Sequence, residues 1–161
     1  MHRGHGDKGA VRGRALLLAV VLLLLAPASG QAGDSLSGAA RAFTGEIVNL
    51  HGAKVRLAGI EAPRAGQICR DAAGEADCAE AARQALDELL DGQAVTCRLL
   101  EKVGHGSFIG TCAPADGGDI GEAMLRAGWA RARPSASAAY KALEAEARKA
   151  RRGLWATAAA E

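Results

Sequence analysis

Four cysteines, Cys69, Cys78, Cys97 and Cys112, stand in the body of the chain, and what precedes them decides their chemistry. Arg3, Lys8, Arg12 and Arg14 against a single Asp7 form a basic head. Ala15 to Ala26 then runs apolar for 12 residues, and Ala28 and Gly30 supply small residues where a signal peptidase cuts. The run is too short to span a bilayer as a helix. Residues 1–30 therefore predict a cleaved signal peptide, with no transmembrane span left afterwards and a periplasmic or secreted destination. In an oxidising compartment an even number of cysteines predicts disulfides. Zinc is the rival use, but no CxxC occurs and only His51 and His105 lie in the body.

Removing the leader also changes the electrostatics. The whole chain has 20 Lys+Arg and 18 Asp+Glu; without the leader's four bases and one acid these become 16 and 17, a net charge of about −1. A general attraction to nucleic acid or to membranes has no support from that balance, so any such partner must be recognised locally. Two Phe, two Trp and one Tyr are the only aromatics in 161 residues. Leu, Val, Ile and Ala must build a modest core, which cross-links would reinforce.

Residues 31–40 are small and polar and predict a flexible lead-in. Phe43 to Leu50 reads as a strand, His51-Gly52 as a tight turn, and Lys54 to Ile60 as the returning strand of a hairpin. Ala65 to Ala76 has no sustained period and predicts a loop. Asp77 followed by Glu80 is an N-cap signature for a helix whose Ala82, Ala85, Leu86, Leu89 and Leu90 share one face. Val95, Cys97 and Leu99 alternate as a third strand, and Phe108 to Ala113 as a fourth, across the tip Gly104-His105-Gly106. A turn on Gly104 and His105 sets Cys97 opposite Cys112, within disulfide reach. Cys69 and Cys78 are then left for each other. Asp119 with Glu122 opens a short helix that stops at Gly128. Trp129 to Arg133 predicts extended chain, and Ser135 or Ser137 caps a last helix carrying Tyr140, Leu143, Ala147 and Ala150 on one face. These elements predict an α+β, mainly β domain, a small barrel with about three appended helices and two disulfides.

The segment Val55-Arg56-Leu57-Ala58-Gly59-Ile60-Glu61-Ala62-Pro63, together with Gly45-Glu46, resembles the staphylococcal nuclease (thermonuclease) family. Val103-Gly104-His105, Leu125-Arg126-Ala127-Gly128-Trp129-Ala130 and Arg151-Arg152-Gly153-Leu154-Trp155 follow in the family's order. The resemblance covers residues 41–155 and leaves 156–161 as a tail. It implies a five-stranded OB-fold barrel, and an ancestral calcium-dependent cleavage of phosphodiesters. In that chemistry carboxylates hold the cation, a glutamate handles the attacking water, and two arginines stabilise charge on the phosphate.

Position by position, most of that set has changed. Arg56 alone is intact among the implied catalytic positions Arg56, Arg64 and His105. Glu46 and Glu61 stand where the family places metal-binding aspartates, Ile47 replaces a threonine, Arg64 replaces the glutamate, and His105 replaces the second arginine. Loss of a general base costs on the order of 10² to 10⁴ in rate. A guanidinium about 5 Å from a divalent ion adds roughly 6 to 7 kcal/mol of repulsion at an effective dielectric near 20, an upper bound. The expectation is an exported pseudoenzyme, a binding or structural module with no required cofactor. The alternative is a nuclease with altered residues, needing Ca2+ and binding nucleic acid. Arg56, Arg64 and His105 at one mouth would suit an anionic ligand or an exported protein partner; equally, Glu46 and Glu61 would neutralise Arg56 and Arg64 in a structural ion-pair cluster. Lys141, Arg148, Lys149, Arg151 and Arg152 read as a solvated helix face interrupted by Glu144 and Glu146. Trp129 and Trp155 read as packing residues.

Overall fold

The computed structural model describes residues 1, 34–71 and 74–156. The chain divides into two units, 1–31 and 32–161, and apart from Met1 every described residue belongs to the second. The signal-peptide assignment falls outside the described residues, as does the tail beyond Ala156. Among the described residues no helix is long and apolar enough to cross a membrane.

Alternation between buried and exposed positions builds the strands, and strand pairing closes them on themselves. β1 (Ser35–Thr44), β2 (Ile47–Leu50), β3 (Ala53–Leu57), β8 (Ser107–Pro114) and β7 (Ala94–Gly104) form a closed five-stranded barrel in that order. β1 closes it by pairing antiparallel with β2 at one end (Ala40 with Leu50) and with β7 at the other (Ser35 with Arg98, Ala39 with Ala94). The segment 35–40 is thus a strand, where small polar residues predict a flexible lead-in. Its side chains carry little pattern of their own, and the partners that order it lie 55 to 63 residues away on β7. β3 runs parallel to β8, with Val55 beside Phe108 and Leu57 beside Gly110. A Cβ at Gly110 would come within 2.6 Å of the Arg98 carbonyl oxygen on β7 and 3.1 Å of Val55 Cγ1 on β3, so β8 approaches both neighbours there only around glycine.

Val48, Leu50, Val55, Leu57, Val95, Cys97 and Cys112 are buried inside the barrel. Helix α1 (Cys78–Leu90) packs its Ala82, Leu86 and Leu90 on β1, and its Asp87 carboxylate accepts the Ala42 N–H at 3.0 Å, beside the bulge between Ala42 and Thr44. The Asp77 carboxylate caps it through the Ala79 and Glu80 N–H groups. Helix α2 (Ile120–Ala127) begins at Asp119, which accepts the Glu122 N–H, and ends at a left-handed Gly128. Of the two serines offered for the last helix, α3 (Ala138–Lys149), Ser137 is the cap.

Three local expectations change. Phe43 to Leu50 is broken by a turn at Gly45-Glu46, so that β1 and β2 are themselves a hairpin, and β3 ends at Leu57, before the short β4 (Ile60–Glu61). The segment predicted as a loop, 65–76, instead falls largely in two paired strands, β5 (Ile68–Asp71) and β6 (Gly74–Asp77); Gly74 to Asp77 are exposed throughout, so no hydrophobic alternation announces them. At the β7–β8 tip Gly104 pairs with Ser107, so the turn is His105-Gly106. Two bulges, between Lys102 and Gly104 and between Leu99 and Glu101, then restore the register that sets Cys97 opposite Cys112. Both predicted disulfides are present, Cys69–Cys78 with Cα atoms 5.5 Å apart and Cys97–Cys112 with Cα atoms 4.0 Å apart.

Candidate functional site at the barrel mouth

Gly45 lets the β1–β2 turn pass beneath α1, because a Cβ there would lie 2.7 Å from Ala82 Cβ and 2.9 Å from Ala62 Cβ. This close approach delivers Glu46 to the barrel mouth. Its backbone carbonyl accepts the Leu57 N–H at 2.9 Å, and its Oε2 accepts the Ala62 N–H at 3.0 Å, so one residue ties the turn to both sides of β4. The carboxylate faces two guanidiniums: Arg56 Nε lies 3.7 Å from Oε1, and an Arg133 Nη lies 3.5 Å from Oε2. Arg56 sits on the outward side of β3, between the inward Val55 and Leu57.

Glu61 follows on β4 and pairs across the short sheet with Arg131 of β9 (Arg131–Ala132). Its Oε1 is 3.2 Å from an Nη of Arg64, whose side chain is 86% exposed. Pro63 fixes the turn between them. Arg131 places its guanidinium 4.9 Å from the centre of the Trp155 ring, and Arg148 lies 4.1 Å from the same centre. Trp155 is buried and Trp129 packs against the core, so both act in packing, as their positions predict.

His105 lies in the turn between β7 and β8. There the neighbouring Gly106 carbonyl accepts the N–H of Lys54 at the start of β3, whereas Glu61 lies beyond the end of β3. Among the described residues no hydrogen bond or ion pair joins His105 to Glu46, Arg56, Glu61 or Arg64. Of the residues expected at the mouth, Arg56 and Arg64 each meet a separate carboxylate, Glu46 and Glu61. Sequence reasoning missed Arg133, which donates from Nε to the Ile60 carbonyl at 2.8 Å while reaching Glu46. The available signal was the spacing Arg131-Ala132-Arg133 in a segment predicted to be extended.

The sequence of residues 54–157 matches the family model described as staphylococcal nuclease homologue. The chain belongs to the staphylococcal nuclease family. A succinoglycan biosynthesis protein, ExoI, of Rhizobium meliloti (strain 1021) is 30% identical over 112 residues, which is 68% of this chain and 59% of that protein. The chain thus spans under two thirds of this relative. The closed five-stranded barrel with three helices is the OB architecture that the family resemblance implies.

Calcium, the ion associated with this family's chemistry, takes roughly six to eight oxygen ligands, supplied largely by carboxylates. The donor set at this mouth does not fit it. Each oxygen of Glu46 faces a guanidinium, one of them also accepting a backbone N–H, and Glu61 is engaged by Arg64. Among the described residues no group of three His, Cys, Asp or Glu side chains is placed to share an ion.

Proposed function

We propose that this chain is an exported binding module of the staphylococcal nuclease fold, in which metal-dependent cleavage of phosphodiesters is impaired. The single observation carrying this reading is the occupation of Glu46 by Arg56 and Arg133. The arginine that the chemistry would aim at a phosphate is within ion-pair distance of the carboxylate that it would aim at a metal. Arg64, where the family has a glutamate, adds positive charge beside Glu61 and has no basic lone pair with which to take a proton from water. Export is supported by the leader pattern and by two disulfides joining all four cysteines. The relative named for succinoglycan biosynthesis adds a weaker support, since its name refers to something other than nucleic acid.

The deciding experiment incubates the purified protein with single-stranded DNA, duplex DNA and RNA, with and without calcium, beside Arg56→Ala and Arg64→Glu variants. The expected outcome is no calcium-dependent cleavage by the unmodified protein. Robust cleavage that Arg56→Ala abolishes would replace this reading with that of a nuclease with an altered site.

A further inference from the structure

Next to the Glu46 mouth, Glu61, Pro63, Arg64, Gln67, Arg131 and Leu154 line a cleft of about 270 Å³. Its charged groups are two guanidiniums and one carboxylate, leaving one net positive charge. Among the described residues the Arg64 guanidinium is held only by its exposed contact to Glu61, the kind of pair that an incoming anion displaces readily. Arg131 makes no ion pair or hydrogen bond through its guanidinium among the described residues. Its stacking on Trp155 restrains the plane of the group while its N–H donors stay available.

We propose that this cleft binds the carboxylate of a small organic acid about the size of one sugar ring. A planar monoanion matches the fork of a guanidinium and neutralises the single excess charge. A phosphate dianion would instead leave excess negative charge beside Glu61. The volume lies at or below the lower end of ligand pockets, roughly 300 to 1,000 Å³, which bounds the ligand's size. Pro63 and Leu154 give apolar wall, and the Gln67 carboxamide, whose Oε1 accepts the backbone N–H of Arg64 at 3.4 Å, gives a polar one. The inference rests on the reading of the chain as a binding module and names the ligand class of that module.

The test is a heteronuclear NMR titration of the full protein with glucuronate, glucose and glucose 6-phosphate, repeated on Arg64→Gln and Arg131→Gln. Glucuronate is expected to produce saturable shifts around residues 61–67 and 131, glucose none, and glucose 6-phosphate binding weaker by about tenfold. Each variant is expected to weaken glucuronate by about tenfold with an unchanged melting temperature. Absence of saturable glucuronate shifts, equal binding of the phosphate sugar, or indifference to both substitutions overturns the assignment. The nuclease assay on the same preparation separates the two claims. Cleavage overturns the module reading, whereas no cleavage without glucuronate binding overturns only the ligand class.

Discussion

Arg133 reaches to within 3.5 Å of Glu46, joining residues 87 positions apart and fastening the segment after β9 to the β1–β2 turn. The Glu46 side chain is 17% exposed and that of Arg133 35%, so the pair is screened less than an open surface pair. Replacing Glu46 by Ala leaves Arg56 and Arg133 without their shared counter-charge and the Ala62 N–H without its acceptor. A loss of about 1 to 3 kcal/mol is expected for that substitution. A double-mutant cycle with Arg133→Ala should give a favourable coupling of about 0.5 to 1 kcal/mol, read from urea unfolding. Additive losses would mean that the two side chains do not interact.

The same pair marks the limit of what could be read in the chain. Helix caps at Asp77 and Asp119, the β2–β3 turn at His51-Gly52 and the Cys97–Cys112 pairing were legible because each is set by residues within one or two neighbouring elements. Strand β1 before Arg41, the β5–β6 pair and Arg133 were not. Each is fixed by partners that local pattern does not name: β7 for the first, an exposed ladder for the second, and Glu46 and the Ile60 carbonyl for the third. The Glu46 and Arg56 positions were legible from the family motif, and their direct contact was one of the two readings left open.

The two disulfides should differ in how fast they are reduced. Cys97 and Cys112 are both buried in the barrel, at 0% and 1% exposure, whereas Cys69 is partly exposed beside the buried Cys78. A thiolate must reach a sulfur to attack it, so access orders the rates. Limited dithiothreitol treatment of the folded protein, followed by alkylation and peptide mapping, is expected to label Cys69 and Cys78 first. Earlier labelling of Cys97 and Cys112 would contradict the packing described.

Gly128 and Gly153 lie against each other with φ of +78° and +51°. A Cβ on Gly128 would collide with the Arg152 carbonyl, and a Cβ on Gly153 would lie 2.6 Å from the Gly128 carbonyl oxygen, which already accepts the Leu154 N–H. Neither clash is with a flexible side chain. Gly128→Ala and Gly153→Ala are each expected to cost about 2 to 4 kcal/mol, more than the left-handed conformation alone, because backbone must move. Thermal unfolding of both variants checks this; a loss under about 1 kcal/mol would show that the two turns separate easily.

Glu80 is held down to a pKa of about 2, first by its hydrogen bonds from Arg83 and then by that from Gln84. A carboxylate depressed on folding contributes stability that is fully present above its ordinary value of 4.5 and is lost as the pH falls through about 2. The Arg83→Ala variant should raise the Glu80 titration towards the ordinary value and flatten that part of the acid limb. Carbon-detected NMR of the Glu80 carboxyl follows it, and an unmoved titration would rule out Arg83 as the main cause.

Tyr140 is the chain's one tyrosine, and it joins α3 to the start of α2 through a 2.7 Å hydrogen bond from its hydroxyl to Asp119 Oδ1. Burial first, then this hydrogen bond and the charges of Asp119 and Glu122, push its pKa well above the ordinary 10.0. Folding therefore favours the neutral phenol. The associated stability is intact below pH 10.0 and is lost as the pH rises from there towards the raised folded value. In a titration of the phenolate absorbance, the tyrosine should stay neutral through pH 10 and ionise only as the helices separate. Tyr140→Phe removes the hydrogen bond at a cost of about 0.5 to 1.5 kcal/mol near neutral pH. It should also make stability less sensitive to alkali, since no phenol remains to ionise. The Asp119 cap of α2 keeps its Glu122 N–H in that variant, so helix content by circular dichroism should hold. Ionisation near pH 10 with the fold intact would mean that the hydroxyl is solvated instead of bonded to Asp119.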